Sequence, residues 1–380
     1  MTSSKAVDES EKRAKRAKPR VSSPSDIRKS NRQAVLRALY PDRWLSRADL
    51  AKLTGLSKVS VSDVVAELIQ DSLLVEGGYK PSSKPGKPAV LVGIEAQGKT
   101  VMAVDLSEAG TVKGILCDLK GQIILRAKQD LPQSNPLPLE PIIALCQQLK
   151  ARAPEPLLGL AVATPGTVNM QGTVLAAPNL GWSDVDLAQI LSQQVGLRTY
   201  VTNDADSAVF GEHCFAGGPA NMILVQIARG VGAGVLIDNR IVRGSHYVAG
   251  EIGHVVVDEN GIACACGKRG CLETLTSVPF LAGKIAAQPQ AREGILAQAG
   301  QVLGAALSMP VALTNITDIS IAGPSEITDE AMLTALENTI NERVHSRFIE
   351  HVHVHPAALG NDAAVLGGAA CVLRRELGVL

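Results

Sequence analysis

Aromatic side chains are scarce in this 380-residue chain: Phe, Tyr and Trp make up 3% of it, although hydrophobic residues reach 46%. A core of that size has to be aliphatic, and with 35 glycines the composition points to an Ala/Val/Leu-rich α/β protein with many tight turns. The length allows two or three domains. Long apolar runs are missing as well. None approaches the roughly 18 residues of a membrane span, and the opening MTSSKAVDESEKRAKRAKPR lacks the apolar segment of a secretory signal. The expectation is a cytoplasmic protein with no membrane partner. Net charge is also lacking, since 37 Lys and Arg balance 37 Asp and Glu. The balance is uneven along the chain, however. Residues 1–93 carry 18 basic against 10 acidic side chains, a surplus of 8, which leaves 19 against 27, a deficit of 8, for the rest. A basic head on an acidic body is expected where the head meets a polyanion.

The head resolves into three parts. Residues 1–21 are polar, charged and without periodicity, and read as a disordered basic arm. The stretch 22–92 reads as a winged helix-turn-helix. SDIRKSNRQAVLRALY sets Ile27, Val35, Leu36 and Leu39 on one side of a helix. SRADLAKLTG follows, with Ser46 as N-cap and Gly55 as stop, and LSKVSVSDVVAELIQDSLLV then opens on Ser57 with apolar residues at Val61, Val64, Val65, Leu68 and Ile69. VEGGYKPSSKPGKPAVLVGI completes the unit as two short strands around a Pro/Gly/Lys tip, the wing.

A DNA major groove admits one helix, whose N-terminal side chains reach base edges. Ser57, Lys58, Ser60, Ser62 and Asp63 lie on the first turns of the second helix, and Lys80, Lys84 and Lys87 on the wing face phosphates in such a complex. Double-stranded operator DNA is the expected partner.

Past Gly93 the periodicity changes to two. VMAVDLSEAGTVKGILCDLKGQIIL reads as three strands joined by tight turns, and about a hundred residues later NMILVQIARGVGAGVLIDNRIVRG repeats that outline. Two such meanders, each followed by helical and strand segments, predict a duplicated α/β domain over 93–380 with a cleft between its halves. Glycine turns between strands commonly cradle phosphates, because bare backbone N–H groups can approach them.

Cysteine is sparse, seven in all, yet Cys264, Cys266 and Cys271 fall within eight positions and His254 precedes them by ten. Three thiolates and an imidazole are a ligand set for tetrahedral zinc, and Gly267 and Gly270 let one loop wrap a single ion. A full protein ligand set leaves no open position for water, so the zinc expected here, one per chain, is structural.

With these residues in hand, GEIGH…CACGKRGCLE closely resembles the signature of the ROK family, the repressors, open reading frames and kinases. ATPGTV, APNLGW, NDADSAVFGE, GVGAGVLIDN and LGNDAAVLGGA agree with it, and the likeness covers roughly residues 25–375. The helix-turn-helix with its PGKPAVLV connector resembles the regulator branch. The resemblance implies an actin/sugar-kinase-like, ribonuclease H-like fold in two lobes. It also implies a sugar pocket contacted by Asn203, Asp204, Glu251, His254 and Glu273, in which the zinc pins His254 and the loop so that the carboxylates face sugar hydroxyls. In the family's kinases the residue matching Asp204 is the general base.

Kinases of this family carry an Asp-x-Gly-Gly-Thr loop for ATP phosphates. Here the matching place reads DLSEAGT, Asp105 to Thr111, with Ser107 and Glu108 near the expected glycines. Ala228 and Arg229 likewise stand where kinases carry Gly-Thr, and the adenosine-side turn IAGPSE is thinned. A carboxylate repels a triphosphate, and side chains block close backbone approach. The expectation is therefore a repressor that senses a sugar or related small metabolite, as a homodimer or homotetramer, with Asp204 a vestigial base and no enzymatic activity; the alternative is a sugar kinase with an appended DNA-binding domain. HVHVH, His351 to His355, alternates on one strand face and reads as a polar strand edge.

Overall fold

The computed structural model describes residues 23–80, 88–154 and 156–380; the arm 1–21 and the wing-tip lysines Lys84 and Lys87 lie outside them. The described chain falls into two units, one ending at Ile94 and the other running Glu95–Gly378.

The first unit comprises α1 (Pro24–Leu39), β1 (Leu45–Ser46), α2 (Arg47–Thr54), α3 (Lys58–Gln70), β2 (Leu74–Tyr79) and β3 (Val90–Ile94). Every helix here starts on a serine. Ser23 and Ser46 form reciprocal capping boxes with Asp26 and Asp49, and the Ser57 hydroxyl accepts the Ser60 N–H. Gly55 ends α2 in the left-handed region. Val35, Leu36, Leu39, Leu50, Val61, Val65 and Leu68 are buried together where the three helices meet. Ile27, expected on this stripe, is 51% exposed. It stands two turns ahead of Val35, on a stretch of α1 tied to α3 by charge instead: Arg28 and Arg32 bind Glu67, and Arg32 also binds Asp71. The strands form an antiparallel sheet in the order β1-β3-β2. Trp44 lies across it at two glycines, where a Cβ on Gly77 or Gly93 would come within 2.6 or 2.8 Å of the indole ring. Lys80 is held by both carboxylate oxygens of Asp49, each at 2.8 Å. This surface ion pair is one that an approaching phosphate would have to compete with.

The second unit begins with the meander β4 (Thr100–Asp105), β5 (Thr111–Cys117) and β6 (Ile123–Asp130). Helix α4 (Glu140–Ala151) leads to β7 (Leu157–Thr164), parallel to β4. A small sheet of β8 (Thr167–Val168), β9 (Val174–Ala177) and β10 (Trp182–Val185), then α5 (Leu187–Val195), precede β11 (Thr199–Asn203), parallel to β7. After α6 (Asp204–Phe215) the plan recurs. β12 (Met222–Ile227), β13 (Val231–Ile237) and β14 (Arg240–Ile241) form the second meander. Helices α7 (Glu273–Thr276), α8 (Val278–Ala287) and α9 (Arg292–Thr314) lead to β15 (Asp318–Ala322), parallel to β12. Helix α10 (Glu330–Val344) leads to β16 (His353–Pro356), parallel to β15, and α11 (Ala363–Glu376) follows.

The two five-stranded sheets, β11-β7-β4-β5-β6 and β16-β15-β12-β13-β14, therefore share one topology, as a duplication requires. Each half has its own aliphatic core. Helices α6 and α11 join them: α6 packs on β12 and β13, α11 on β4 and β7, and the two helices on each other. Their approach depends on glycine, because a Cβ on Gly367 would sit 1.7 Å from the Ser207 carbonyl oxygen.

The segment Pro289–Thr314 is long and apolar enough, by length and composition, to cross a membrane. The expectation of no such run overlooks it because Gln and Gly residues interrupt its apolar positions. Leu296, Leu303, Leu307 and Val311 of α9 are buried in the core of the second half, against α10. That is the setting of a core helix.

Candidate functional site

A cleft of about 580 Å³ opens between the two halves of the second unit, and Asn203, Asp204, Glu251, His254 and Glu273 all line it. The strand–helix junction β11–α6 delivers the first two. Asn203 is the N-cap: its Oδ1 accepts the Asp206 N–H at 3.0 Å, and its Nδ2 donates to the Gly166 carbonyl at 3.0 Å. One amide hydrogen and one lone pair remain for a ligand. The Asp204 carboxylate sits at the inner wall of the cleft. Burial, with the Asp105 carboxylate nearby, pushes it up to about 7, although its Oδ1 accepts the Ala205 N–H at 3.0 Å. Asp105, at the end of β4, is also raised by burial and is held by the N–H and hydroxyl of Ser107, each at 2.9 Å.

His254 ends a single 3₁₀ turn, Ile252–His254, and Glu273 opens α7. The imidazole stands between the two glutamates: Nε2 lies 4.0 Å from Glu251 and Nδ1 lies 3.4 Å from Glu273. Nδ1 also lies 3.7 Å from Cys264 Sγ, while Cys266 Sγ and Cys271 Sγ are 3.6 Å apart. The ligand atoms of His254, Cys264, Cys266 and Cys271 all fall within 4.8 Å of one another. In a tetrahedral site with metal–sulfur bonds of about 2.3 Å, neighbouring sulfurs stand roughly 3.8 Å apart, so these four residues can close around one metal ion. Glycine makes the loop possible. Gly267 and Gly270 both have positive φ, and a Cβ on Gly270 would lie 1.6 Å from the Asp258 carbonyl oxygen. Glu273 Oε1 accepts a hydrogen bond from the Cys264 thiol at 3.0 Å and also lines the cleft, so one carboxylate links the sulfur cluster to the pocket.

On α3, Lys58, Ser62 and Asp63 are exposed, whereas Ser57 and Ser60 spend their hydroxyls on each other, 2.9 Å apart, in capping the helix. The spacing argument passed over Val59, which is 71% exposed on the same first turn. Its signal was present: it falls off the buried stripe of Val61, Val64, Val65 and Leu68.

Beside the cleft lies a second cavity of about 410 Å³, reached by Asp105, Ser107, Glu108, Ala228 and Arg229. Glu108 pairs with Lys113. Gln226 borders both cavities, and its Oε1 is buried without a hydrogen-bond partner among the described residues. Sequence reasoning did not single it out; the one clue is a glutamine in the otherwise apolar strand MILVQI. Asn179, within APNLGW, also lines the cleft.

The strand β16, which bears His353 and His355, is an edge strand. His351 lies 3.3 Å from Glu337 and His355 lies 3.3 Å from Asp318. Glu337, His351 and His353 bring ligand atoms within 4.8 Å of one another at an exposed surface, a grouping that can hold a metal ion.

The profile of the ROK family matches residues 102–375. The xylose repressor of Bacillus subtilis (strain 168) is 28% identical over 380 residues, covering 93% of this chain and 97% of that protein. A solved ROK family transcriptional regulator, a homolog of the E. coli MLC protein, superposes with a TM-score of 0.79 at 25% identity over 92% of this chain and 96% of its own. A ROK family glucokinase from Streptomyces griseus, in complex with glucose and AMPPNP, has a TM-score of 0.63 at 24% identity, covers 72% of this chain and 98% of its own, and shares the fold of the second unit.

Proposed function

This chain belongs to the ROK family, and from that premise we propose that it is a DNA-binding transcriptional repressor whose operator affinity is set by a sugar or related small metabolite bound in the cleft. The observation that carries the reading is the presence, in one chain, of a winged helix-turn-helix unit and of a separate unit whose cleft gathers Asp204, Glu251, Glu273 and His254. Carboxylates suit vicinal hydroxyls because each accepts several hydrogen bonds. Asn203 adds an amide, and Gln226, which also lines the cleft, offers an oxygen unpaired among the described residues.

His254, Cys264, Cys266 and Cys271 would hold one structural zinc. When bound, that ion supplies no open coordination position; it fixes the loop and the imidazole ring. Glu251 and Glu273 then accept from hydroxyl groups at the mouth of the cleft. Asp204 binds a hydroxyl and transfers no phosphoryl group, because Ser107, Glu108 and Arg229 crowd the place where a nucleotide's phosphates would need bare backbone. Residues 22–92 form the DNA-binding domain and 93–380 the effector domain. Lys58 and Ser62 read base edges while Lys84 and Lys87 meet phosphates. A homodimer or homotetramer matches two recognition helices to a palindromic operator, in the cytoplasm where DNA and reduced thiols coexist.

Fluorescence anisotropy with the fragment upstream of the chain's own operon, titrated with sugars chosen by a thermal-shift screen, tests the proposal. Specific binding should appear, and at least one stabilising sugar should change it. Lys58→Ala should weaken operator binding more than binding to random DNA. Equal binding to both DNAs, unaltered by every sugar, would sink the reading.

A further inference from the structure

A third cavity of about 500 Å³ lies away from the cleft, and its walls are unusually basic. Arg240 and Arg243 enter from β14 and the segment after it, Arg374 and Arg375 from the last turn of α11, and Ser207 and Phe210 from α6. No acidic residue is among those lining it. The nearest compensation is Asp206, whose Oδ2 stands 3.5 Å from Arg243 Nε. Four guanidinium groups against one carboxylate leave three positive charges. Glu376, next in sequence, is engaged elsewhere, by Arg198 and by the Tyr200 hydroxyl.

Two of the arginines have a structural explanation. Those in the last turn of α11 complement the negative end of its dipole. Arg374 also donates to the Asn239 carbonyl at 3.0 Å and lies over the Phe210 ring at 5.1 Å from its centroid. Neither account reaches Arg240, which has no partner among the described contacts, or explains why Arg240 and Arg243 approach the helix end from another element. Like charges held together around a cavity repel, and an anion between them removes that cost. Planar guanidinium groups match phosphate oxygens two at a time.

We propose that this cavity is a second small-molecule site, one that takes a phosphate group. Its position gives occupancy a consequence. Arg240 and Arg243 belong to the second half of the unit, whereas α11 packs on β4 and β7 of the first. A bound phosphate would tie the halves together at the junction. Helix α6 meets both places, with Asp204 at the cleft and Ser207 and Phe210 at the cavity.

The test uses the full chain at constant ionic strength, with potassium chloride as the reference and two probes, inorganic phosphate and glycerol 3-phosphate. Melting temperature and calorimetric titration are read for the wild type, for Arg240→Ala/Arg375→Ala and for Asp204→Asn. Both probes should stabilise the wild type, and the tighter one identifies whether the site prefers free or esterified phosphate. The double alanine variant should bind about ten- to a hundredfold more weakly, while Asp204→Asn binds like the wild type. Arg240→Lys/Arg375→Lys, which keeps the charge but not the fork, serves if the alanine variant melts lower in chloride, and should also weaken binding measurably. A phosphate response that survives both double variants, or that Asp204→Asn abolishes, places the anion elsewhere and overturns the proposal. So does the absence of any response from the wild type.

Discussion

Asp204 shows what a single residue here is asked to do. Its carboxyl group is raised from 3.8 to about 7 by burial and by Asp105, so the folded chain favours the protonated form. The contribution of this group to stability is therefore full below its unfolded value and is lost as pH rises through about 7. Asp204→Asn removes that dependence, and its melting temperature should exceed that of the wild type more at pH 8 than at pH 5. Effector binding should move the other way. If Asp204 accepts a hydroxyl hydrogen bond, calorimetry should find the wild type binding sugar more tightly as pH rises through that range, and the asparagine variant losing about 1.5–3 kcal/mol at the alkaline end. A pH-independent affinity equal in both proteins would remove Asp204 from the site. The residue's type and place at the start of a helix are legible in NDAD. Its shifted acidity is not, because Asp105 lies far away in sequence and only the pairing of β4, β7 and β11 brings the two together.

At the scale of elements, the sulfur loop between His254 and Glu273 is the most demanding piece of backbone. Two glycines in left-handed conformations, one with a carbonyl 1.6 Å from where a Cβ would stand, bring thiols into register with an imidazole. Elemental analysis of freshly purified protein should find one zinc per chain. Cys266→Ser or strong chelation should lower the melting temperature and abolish the sugar response; protein that arrives metal-free yet responds fully to sugar contradicts the assignment. The grouping of one histidine and three cysteines was legible because such clusters show in residue type and spacing. The helices of the first unit were legible for a related reason: Ser46, Gly55 and Ser57 act on backbone groups within a few positions of themselves. Ile27 was misread because amphipathic spacing fixes a face of a helix but not how far along that face the partner extends.

For the whole molecule, the proposal makes the sugar cleft and the DNA surface two sites of one equilibrium. Linkage then requires that saturating operator DNA change sugar affinity by the same factor by which sugar changes operator affinity. Paired titrations should return equal factors, and no sugar that shifts the melting temperature should be phosphorylated by the wild type with ATP. Sugar phosphate formed by the wild type and lost in Asp204→Asn would make this chain a kinase. The amino-acid sequence alone determined the two-part plan, the duplicated meanders and the sulfur cluster, because periodicity, capping and ligand spacing are local. Tertiary structure decided the rest: that Lys80 pairs with Asp49, that Gln226 faces the cleft with an oxygen unpaired among the described residues, that the apolar α9 is a core helix, and that two arginines of α11 and two from the β14 region line one cavity. Each depends on which distant segments the packed sheets bring within a few ångströms, and no local pattern encodes that.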